Sequence, residues 1–236
     1  MKPIGRALAL VLVAGLGAGA VAVWDSPSLD LHKVEVGSNQ RVAANDVVVA
    51  SELTPRDHLL RISTSKVAAR VERSPWVATA DVERILPSSV RITVVERKPV
   101  AIVVAGPSSY MVDGEGVVLE RVAGNGGSKL PVIAELPVGS LEPGRRIGLP
   151  QYRQALTILA SLPGGMAQKV DLVRAPSTET ITLELAGGPA ILFGPAEDLG
   201  DKRFALEAVT EKAAAEGMTL ASIDVRVPKR PAALPK

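Results

Sequence analysis

The sequence predicts an α+β protein in which an apolar N-terminal segment precedes two small mixed modules. Three observations support this prediction. Residues 7–24 carry no charge, residues 31–98 follow the order β-α-α-β-β, and residues 99–227 are mostly strand-like with two helical segments. With 236 residues, 47% of them hydrophobic, the chain is long and apolar enough to build two cores.

Residues 7–24 are predicted to form a transmembrane helix. The run ALALVLVAGLGAGAVAVW would span roughly 27 Å as a helix, close to the thickness of a hydrocarbon core. Because Lys2 and Arg6 precede it and Asp25 follows, residues 1–6 should form a cytoplasmic tail and the bulk of the chain should lie outside. The alternative is a cleaved signal peptide, since residues 20–22 (Ala-Val-Ala) fit the small-x-small rule for cleavage before Val23.

The composition disfavours several classes of function. The chain has no cysteine and two histidines, His32 and His58, which leaves little material for a metal site or a catalytic triad. Lys2 and Arg6 account for the net charge of +2, so the remainder is balanced and broad nucleic-acid binding is disfavoured. We therefore expect no catalytic, metal or cofactor site, and no small-molecule substrate.

The first module is defined by a clear alternating strand. Val90, Ile92 and Val94 are apolar and are separated by single residues, which is typical of a half-buried strand. Trp76 is its one large aromatic residue, and we expect it to be buried, so that Trp76→Ala would cost about 3–5 kcal/mol. Strands are predicted at 31–36, 77–86 and 90–97, and helices at 44–53 and 66–73.

The second module is predicted to be a sheet covered by two helices. Turn signals separate its strands, for example the glycine pair at 187–188 between two apolar runs. The final strand is followed by Pro228, Pro231 and Pro235, which predict a flexible tail over residues 228–236. Strands are predicted at 100–104, 109–112, 117–119, 130–133, 170–173, 180–185, 190–193 and 221–227, and helices at 152–162 and 199–216.

The run from Ser74 to Ala101 resembles the FtsQ/DivIB family of extracytoplasmic bacterial cell-division proteins. It is similar to the family pattern PWVxxAxVxRxxPxxLxIxVxERxPxA, and the residues to which we assign structural roles in this module and at its junction are Trp76, Arg84, Pro87, Glu96, Arg97 and Pro99. Downstream, Val112-Asp113 with Gly116-Val117-Val118 resembles the VDxxGxV hairpin. Residues 223–226 (Ile-Asp-Val-Arg) resemble the family's closing IDLR strand, and Gly194 and Lys202 also match.

The resemblance implies a POTRA domain over residues 31–98 and a β-domain over residues 99–227. It also implies a non-enzymatic, single-pass scaffold in the cytoplasmic membrane, enriched at the division septum, that helps control peptidoglycan synthesis. The implied partners are FtsB/FtsL-type division proteins, and the β-domain's last strand would receive the FtsB-like one. The residues that we expect to contact this partner are Ser222, Asp224, Arg226, Val227 and Pro228.

Residue alternation predicts how the closing strand is oriented. Ile223, Val225 and Val227 should face the module core, and Arg226 should be free to bind a partner carboxylate with two parallel donors. Because Pro228 cannot extend a ladder, we expect this strand to be the open edge of the sheet. The same rule puts Glu96 in solvent, on the strand face opposite to an Arg97 that forms bonds at the module junction.

Two other functions are compatible with parts of the sequence. A POTRA-containing transport or assembly component would need tandem POTRA copies or a long amphipathic barrel. A secreted periplasmic hydrolase with a cleaved signal peptide would need a convergent group of histidine or carboxylate side chains. The sequence offers neither feature.

Overall fold

The computed structural model describes residues 26–38 and 40–236. The predicted cytoplasmic tail (1–6) and transmembrane helix (7–24) lie outside the described residues. Within the described ranges, no helix is both long enough and apolar enough to cross a membrane. The chain divides into two compact units, one ending at Glu96 and the other beginning at Arg97.

Unit 1 has the predicted β-α-α-β-β order. In the part of unit 1 that the structure describes, the central strand pairs in parallel with the first strand and antiparallel with the second, so the sheet order is first, third, second. Its elements are β1 (Lys33–Gly37), α1 (Ala44–Ser51), α2 (Thr64–Val71), β2 (Val77–Ile85) and β3 (Ser89–Glu96).

The core of unit 1 follows the alternation that predicted β3. Val90, Ile92 and Val94 are almost fully buried, and they pack with Val67 and Val71 from one face of α2. The sheet and this helix therefore form two layers around one apolar core.

Trp76 does not belong to this core, so its predicted burial is wrong. Its side chain is only partly buried, and the Arg41 guanidinium lies 3.8 Å from the ring centroid. The residue directly precedes β2, and Val77, not Trp76, points into the core at 1% exposure. A large aromatic is thus used on the surface, where a cation covers its face.

We now expect Trp76→Ala to destabilise unit 1 by about 1–2 kcal/mol, from loss of partial burial and of the cation–π contact. Thermal melting of the full chain checks this value. Val77→Ala serves as a comparison, since it removes a buried side chain of the same unit. A loss of 3 kcal/mol or more for Trp76→Ala would mean that the ring is buried.

Unit 2 is a sheet with helices on one face. In the residues that the structure describes, nine strands form one mixed sheet in the order β12-β11-β10-β9-β8-β7-β4-β5-β6. The elements are β4 (Pro99–Ala105), β5 (Ser108–Asp113), β6 (Val118–Val122), β7 (Val132–Ala134), α3 (Pro150–Ser161), β8 (Val170–Arg174), β9 (Thr182–Leu185), β10 (Ala190–Leu192), α4 (Leu199–Ala215), β11 (Leu220–Asp224) and β12 (Ala232–Pro235).

Most neighbouring strands in this sheet are antiparallel, as expected, and three pairs are parallel: β4 with β7, β7 with β8, and β10 with β11. One aliphatic residue from each of six strands lies in a continuous row of register partners, all fully buried. The row is Val103, Ile133, Val173, Leu183, Ile191 and Ile223. Side chains of α3 and α4 pack in the same cluster, so the two helices cover this face.

The C-terminal segment differs from the prediction. Residues 228–236 were expected to be a flexible tail, but Ala232–Pro235 forms β12 and pairs antiparallel with β11. The strand predicted at 221–227 is therefore not the open edge, because β11 has β10 on one side and β12 on the other. Proline removes only one backbone donor per residue, so Pro231 before this short strand and Pro235 at its end do not prevent its pairing.

Candidate partner-binding edge

The last two strands bring the predicted partner-binding residues to one end of the large sheet. Ile223 and Val225 are fully buried in the core, as predicted. Because strand residues alternate, Ser222 and Asp224 lie on the opposite, helix-free face. Leu234 of β12 is the register partner of Ser222, shares that face, and is 65% exposed.

Val227 does not follow the alternation, and its predicted position in the core is wrong. Its side chain is 60% exposed because β11 ends at Asp224 and a turn begins after Val225. The turn includes a hydrogen bond from the Arg230 amide to the Val227 carbonyl (2.9 Å), and Pro228 lies within it. Val227 and Pro228 therefore belong to the connection between β11 and β12.

Asp224 and Arg226 form a compact ion pair on the surface. Arg226 donates from Nη2 to Asp224 Oδ2 (2.6 Å) and from Nε to Oδ1 (3.0 Å), and its backbone amide also donates to Oδ1 (3.0 Å). The guanidinium hydrogen bond holds the pKa of Asp224 below its usual range, and the carboxylate raises the pKa of Arg226. The expectation of an Arg226 fork free for a partner is wrong: Nε and Nη2 already bind Asp224.

Gly194, two residues after β10, leaves space for the aliphatic part of the Arg226 side chain. Gly194 has φ +71°, and a Cβ built there would lie 3.2 Å from the Cγ of Arg226. A side chain at this position would be strained by the backbone and would also press on Arg226. The match of Gly194 to the family pattern therefore has a direct structural reason.

A buried lysine forms hydrogen bonds with the backbone of the loop around Gly194. Lys202, in the first turn of α4, donates to the carbonyls of Phe193 (3.0 Å) and Pro195 (2.8 Å), on either side of Gly194. Its side chain is 2% exposed, and burial lowers its pKa. We infer that Lys202 fixes the backbone of residues 193–195, beside which the Arg226 side chain lies.

At this end of the sheet, the edge strand is β12. The amide of Lys236 donates inward to the Thr219 carbonyl (2.8 Å), so by alternation Leu234 and Ala232 also direct their backbone groups toward β11. The amide and carbonyl of Ala233 then face outward, whereas Pro235 has no amide hydrogen to offer. The edge therefore presents one donor and two acceptors, the carbonyls of Ala233 and Pro235, and all four β12 residues are exposed.

The predicted junction residues serve local structure within their own units. Arg84 donates from Nη2 to the Ile62 carbonyl (2.7 Å), and Pro87 lies in the turn between β2 and β3 after a cis peptide bond. Pro99 is the first residue of β4, opposite Asp113 of β5. These contacts hold secondary-structure elements together and are not aimed at a binding surface.

Glu96 is more than a solvated charge. Its carboxylate accepts hydrogen bonds from the backbone amides of Gln40, Arg41 and Val42, at 2.8 to 2.9 Å. These bonds, above all that from Val42, hold the pKa of Glu96 below its usual range. The residue therefore fixes the segment that leads into α1, and alternation alone could not show this.

Arg97 and Asp113 form a largely buried ion pair within unit 2. Arg97 Nη1 donates to Asp113 Oδ2 (2.8 Å) and more weakly to Glu115 (3.2 Å). Asp113 Oδ1 accepts from the amides of Glu115 and Val117, and the Asp113 carbonyl accepts from the Tyr152 hydroxyl (2.7 Å). Burial raises the pKa of this hydroxyl. Asp113, at the end of β5, thus links its own hairpin turn to Arg97 before β4 and to Tyr152 of α3.

No metal centre is found in the residues that the structure describes, where no group of three or more histidine, aspartate or glutamate side chains could hold an ion. The features at this edge suit recognition of a strand or a charged side chain, not catalysis. The sequence analysis missed β12, Leu234 and the loop-fixing role of Lys202. Lys202 stands between Asp201 and Arg203 in the sequence, so no local pattern marks it as buried.

Two family models match the chain. Residues 29–97 match the model described as "POTRA domain, FtsQ-type", and residues 101–226 match "Cell division protein FtsQ/DivIB, C-terminal". The boundary between these two matches falls close to the division between unit 1 and unit 2.

The curated relatives described next are all named as FtsQ cell-division proteins. The chain is 34% identical to "Cell division protein FtsQ" of Streptomyces coelicolor, covering 86% of this chain and 78% of that protein. It is 30% identical to the Mycolicibacterium smegmatis protein of that name, where 86% of this chain corresponds to only 57% of the relative's length. The Corynebacterium glutamicum protein is 26% identical, with 86% and 87% covered.

Proposed function

Because the chain belongs to the FtsQ/DivIB family, we propose that it is a non-enzymatic scaffold of the bacterial division machinery. Residues 7–24 would anchor it in the cytoplasmic membrane, with the POTRA unit and the β-domain outside, and the protein would concentrate at the septum. This proposal is supported by the uncharged N-terminal run, by the matches over both units and by the relatives' shared name. No observation on the described residues favours a transport component or a hydrolase.

We propose further that an FtsB-like division protein binds at the C-terminal edge of the large sheet. The observation that carries this proposal is the open edge of β12, whose Ala233 amide and carbonyl face away from β11. An extended partner segment can add to such an edge through main-chain hydrogen bonds. Because Pro235 contributes no donor, the edge offers few bonds, and side chains must supply much of the affinity.

Arg226 is the side chain best placed for this task. It is 54% exposed, and its Nη1 is not among the atoms that bind Asp224. A partner carboxylate can therefore join the existing pair as a third member without displacing Asp224. The exposed Leu234 of β12 and Val227 of the β11–β12 connection supply apolar surface near Arg226 in the chain.

The test is Arg226→Glu in the full chain, titrated in detergent with the soluble segment of the FtsB-like partner. We expect at least about a tenfold loss of affinity, or about 1.4 kcal/mol, with an unchanged melting temperature. Arg121→Glu is the matched control, because Arg121 is an exposed arginine of β6 at the opposite edge of the sheet. Equal affinity for both variants and the parent chain would contradict the proposed site.

A further inference from the structure

A groove in unit 1, outside the proposed partner edge, is lined by several basic side chains. It has a volume of about 270 Å³ and lies between α2 and the short 3₁₀ segment Leu59–Arg61. The side chains of His58, Arg61, Lys66 and Arg70 line it, together with the carboxylates of Glu52 and Asp57. We call this feature the basic groove.

Both carboxylates of the basic groove are engaged within the protein. Asp57 Oδ2 accepts from the Thr54 amide (2.7 Å), and Glu52 Oε2 lies 3.4 Å from Arg70 Nη1. Within the described residues, by contrast, the exposed ammonium of Lys66 has no hydrogen-bond or ion-pair partner. The charge balance that remains for a ligand is therefore positive.

Three nitrogen atoms of the same side chains are also unpaired. Both ring nitrogens of His58 and the Nε of Arg70 are buried, and none has a hydrogen-bond partner in the described part of the chain. Buried polar atoms in folded proteins almost always have a partner. Because the Arg70 Nε always carries a proton, the partner that it lacks must be an acceptor.

We propose that the basic groove binds a phosphate group, and that the source of this group is the headgroup of an anionic membrane lipid. A phosphate carries several acceptor oxygens and the negative charge that Lys66 and Arg70 attract. The volume of the groove suits a headgroup and is small for a folded partner segment.

The position of the groove along the chain supports a lipid source. The Leu31 amide donates to the Asp57 carbonyl (2.8 Å), and the backbones of Asp30 and His58 form an isolated antiparallel β-bridge. Only five residues separate Asp30 from the end of the predicted anchor at Trp24, so Asp30 can lie no more than about 20 Å from that end. This step rests on the membrane anchor of the proposed function.

The first arm of the test uses inorganic phosphate and does not depend on the anchor. The full chain in detergent is titrated with phosphate at constant ionic strength, and we expect saturable binding seen by calorimetry. Lys66→Gln should weaken it about fivefold, as expected for one partly exposed charge contact. Arg73→Gln is the control, because it removes the same charge just beyond the same helix and outside the groove.

The second arm identifies the source of the phosphate. Hydrogen exchange of residues 57–70 is measured for the full chain in nanodiscs of phosphatidylcholine alone and with phosphatidylglycerol added. We expect slower exchange with phosphatidylglycerol, and no such change in Lys66→Gln. Absence of saturable phosphate binding, equal weakening by Arg73→Gln, or identical exchange in the two lipids would each overturn the proposal. A mature N-terminus at Val23 would instead contradict the anchor, and phosphate binding would persist.

Discussion

Val225→Asp should unfold the β-domain. The Val225 side chain is fully buried within the main apolar cluster of unit 2, and its amide donates to the Leu192 carbonyl of β10 (3.0 Å). A carboxylate at this position would have no partner, and an isolated buried charge costs far more than a lost methyl group. We expect a loss of more than about 4 kcal/mol, enough to remove most of the stability of an ordinary domain. Circular dichroism and thermal melting of the full chain measure it.

Val227→Asp is the matched control for this prediction. It places the same charge two residues along the chain, on a side chain that is 60% exposed. We expect a change within about 0.5 kcal/mol, as is usual for surface substitutions. A folded Val225→Asp protein, or equal damage from both substitutions, would show that the register of β11 is wrong.

Asp113→Ala should cost about 3–5 kcal/mol, because it breaks a buried ion pair and leaves its partners unmatched. The carboxylate is 6% exposed and accepts from Arg97 and from the amides of Glu115 and Val117. Removing it leaves two backbone donors without their acceptor, and it leaves the largely buried Arg97 guanidinium with only the weaker bond to the exposed Glu115. Chemical denaturation of the full chain gives the change in free energy of unfolding.

Glu115→Ala separates this effect from the loss of a surface charge. Glu115 also binds Arg97 (3.2 Å) and binds Arg146 (2.8 Å), but its side chain is 62% exposed. We expect a loss below about 1 kcal/mol, typical of exposed pairs. If the two alanine variants lost equal stability, Asp113 would not be the centre of this network.

The elements that the sequence predicted best are those with a strong local pattern. The alternation of Val90, Ile92 and Val94 predicted the central strand of unit 1, and all three side chains are buried in its core. β12 was missed because it has no such pattern. Its four exposed residues are held by main-chain pairing with β11, and the three prolines between residues 228 and 236 favour an open tail.

Side-chain partners were harder to predict than elements. The Arg226 guanidinium folds back on Asp224, two residues before it, because β11 ends at Asp224 and the chain turns there. Strict alternation would have kept both side chains pointing outward in parallel. Trp76 and Glu96 show the same limit, since their contacts with the segment from Gln40 to Val42 depend on tertiary structure.

The basic groove could not be predicted from the sequence for a related reason. Glu52, His58 and Arg70 come from the end of α1, a loop and α2, and no fixed spacing marks them as neighbours. Only the folded chain shows that both ring nitrogens of His58 and the Nε of Arg70 are buried without partners among the described residues.

Hydrogen exchange at the Ala233 amide tests the central claim, that a partner strand adds to β12. In the free chain this amide faces away from β11 and should exchange rapidly, whereas that of Lys236, bonded to Thr219, should be slower. We predict that the FtsB-like segment slows exchange at Ala233 and leaves β6, at the other edge, unchanged. Unchanged exchange at Ala233 in the bound state would contradict the account. Faster exchange at both Ala233 and Lys236 would also contradict it, since β12 would then be displaced by the partner.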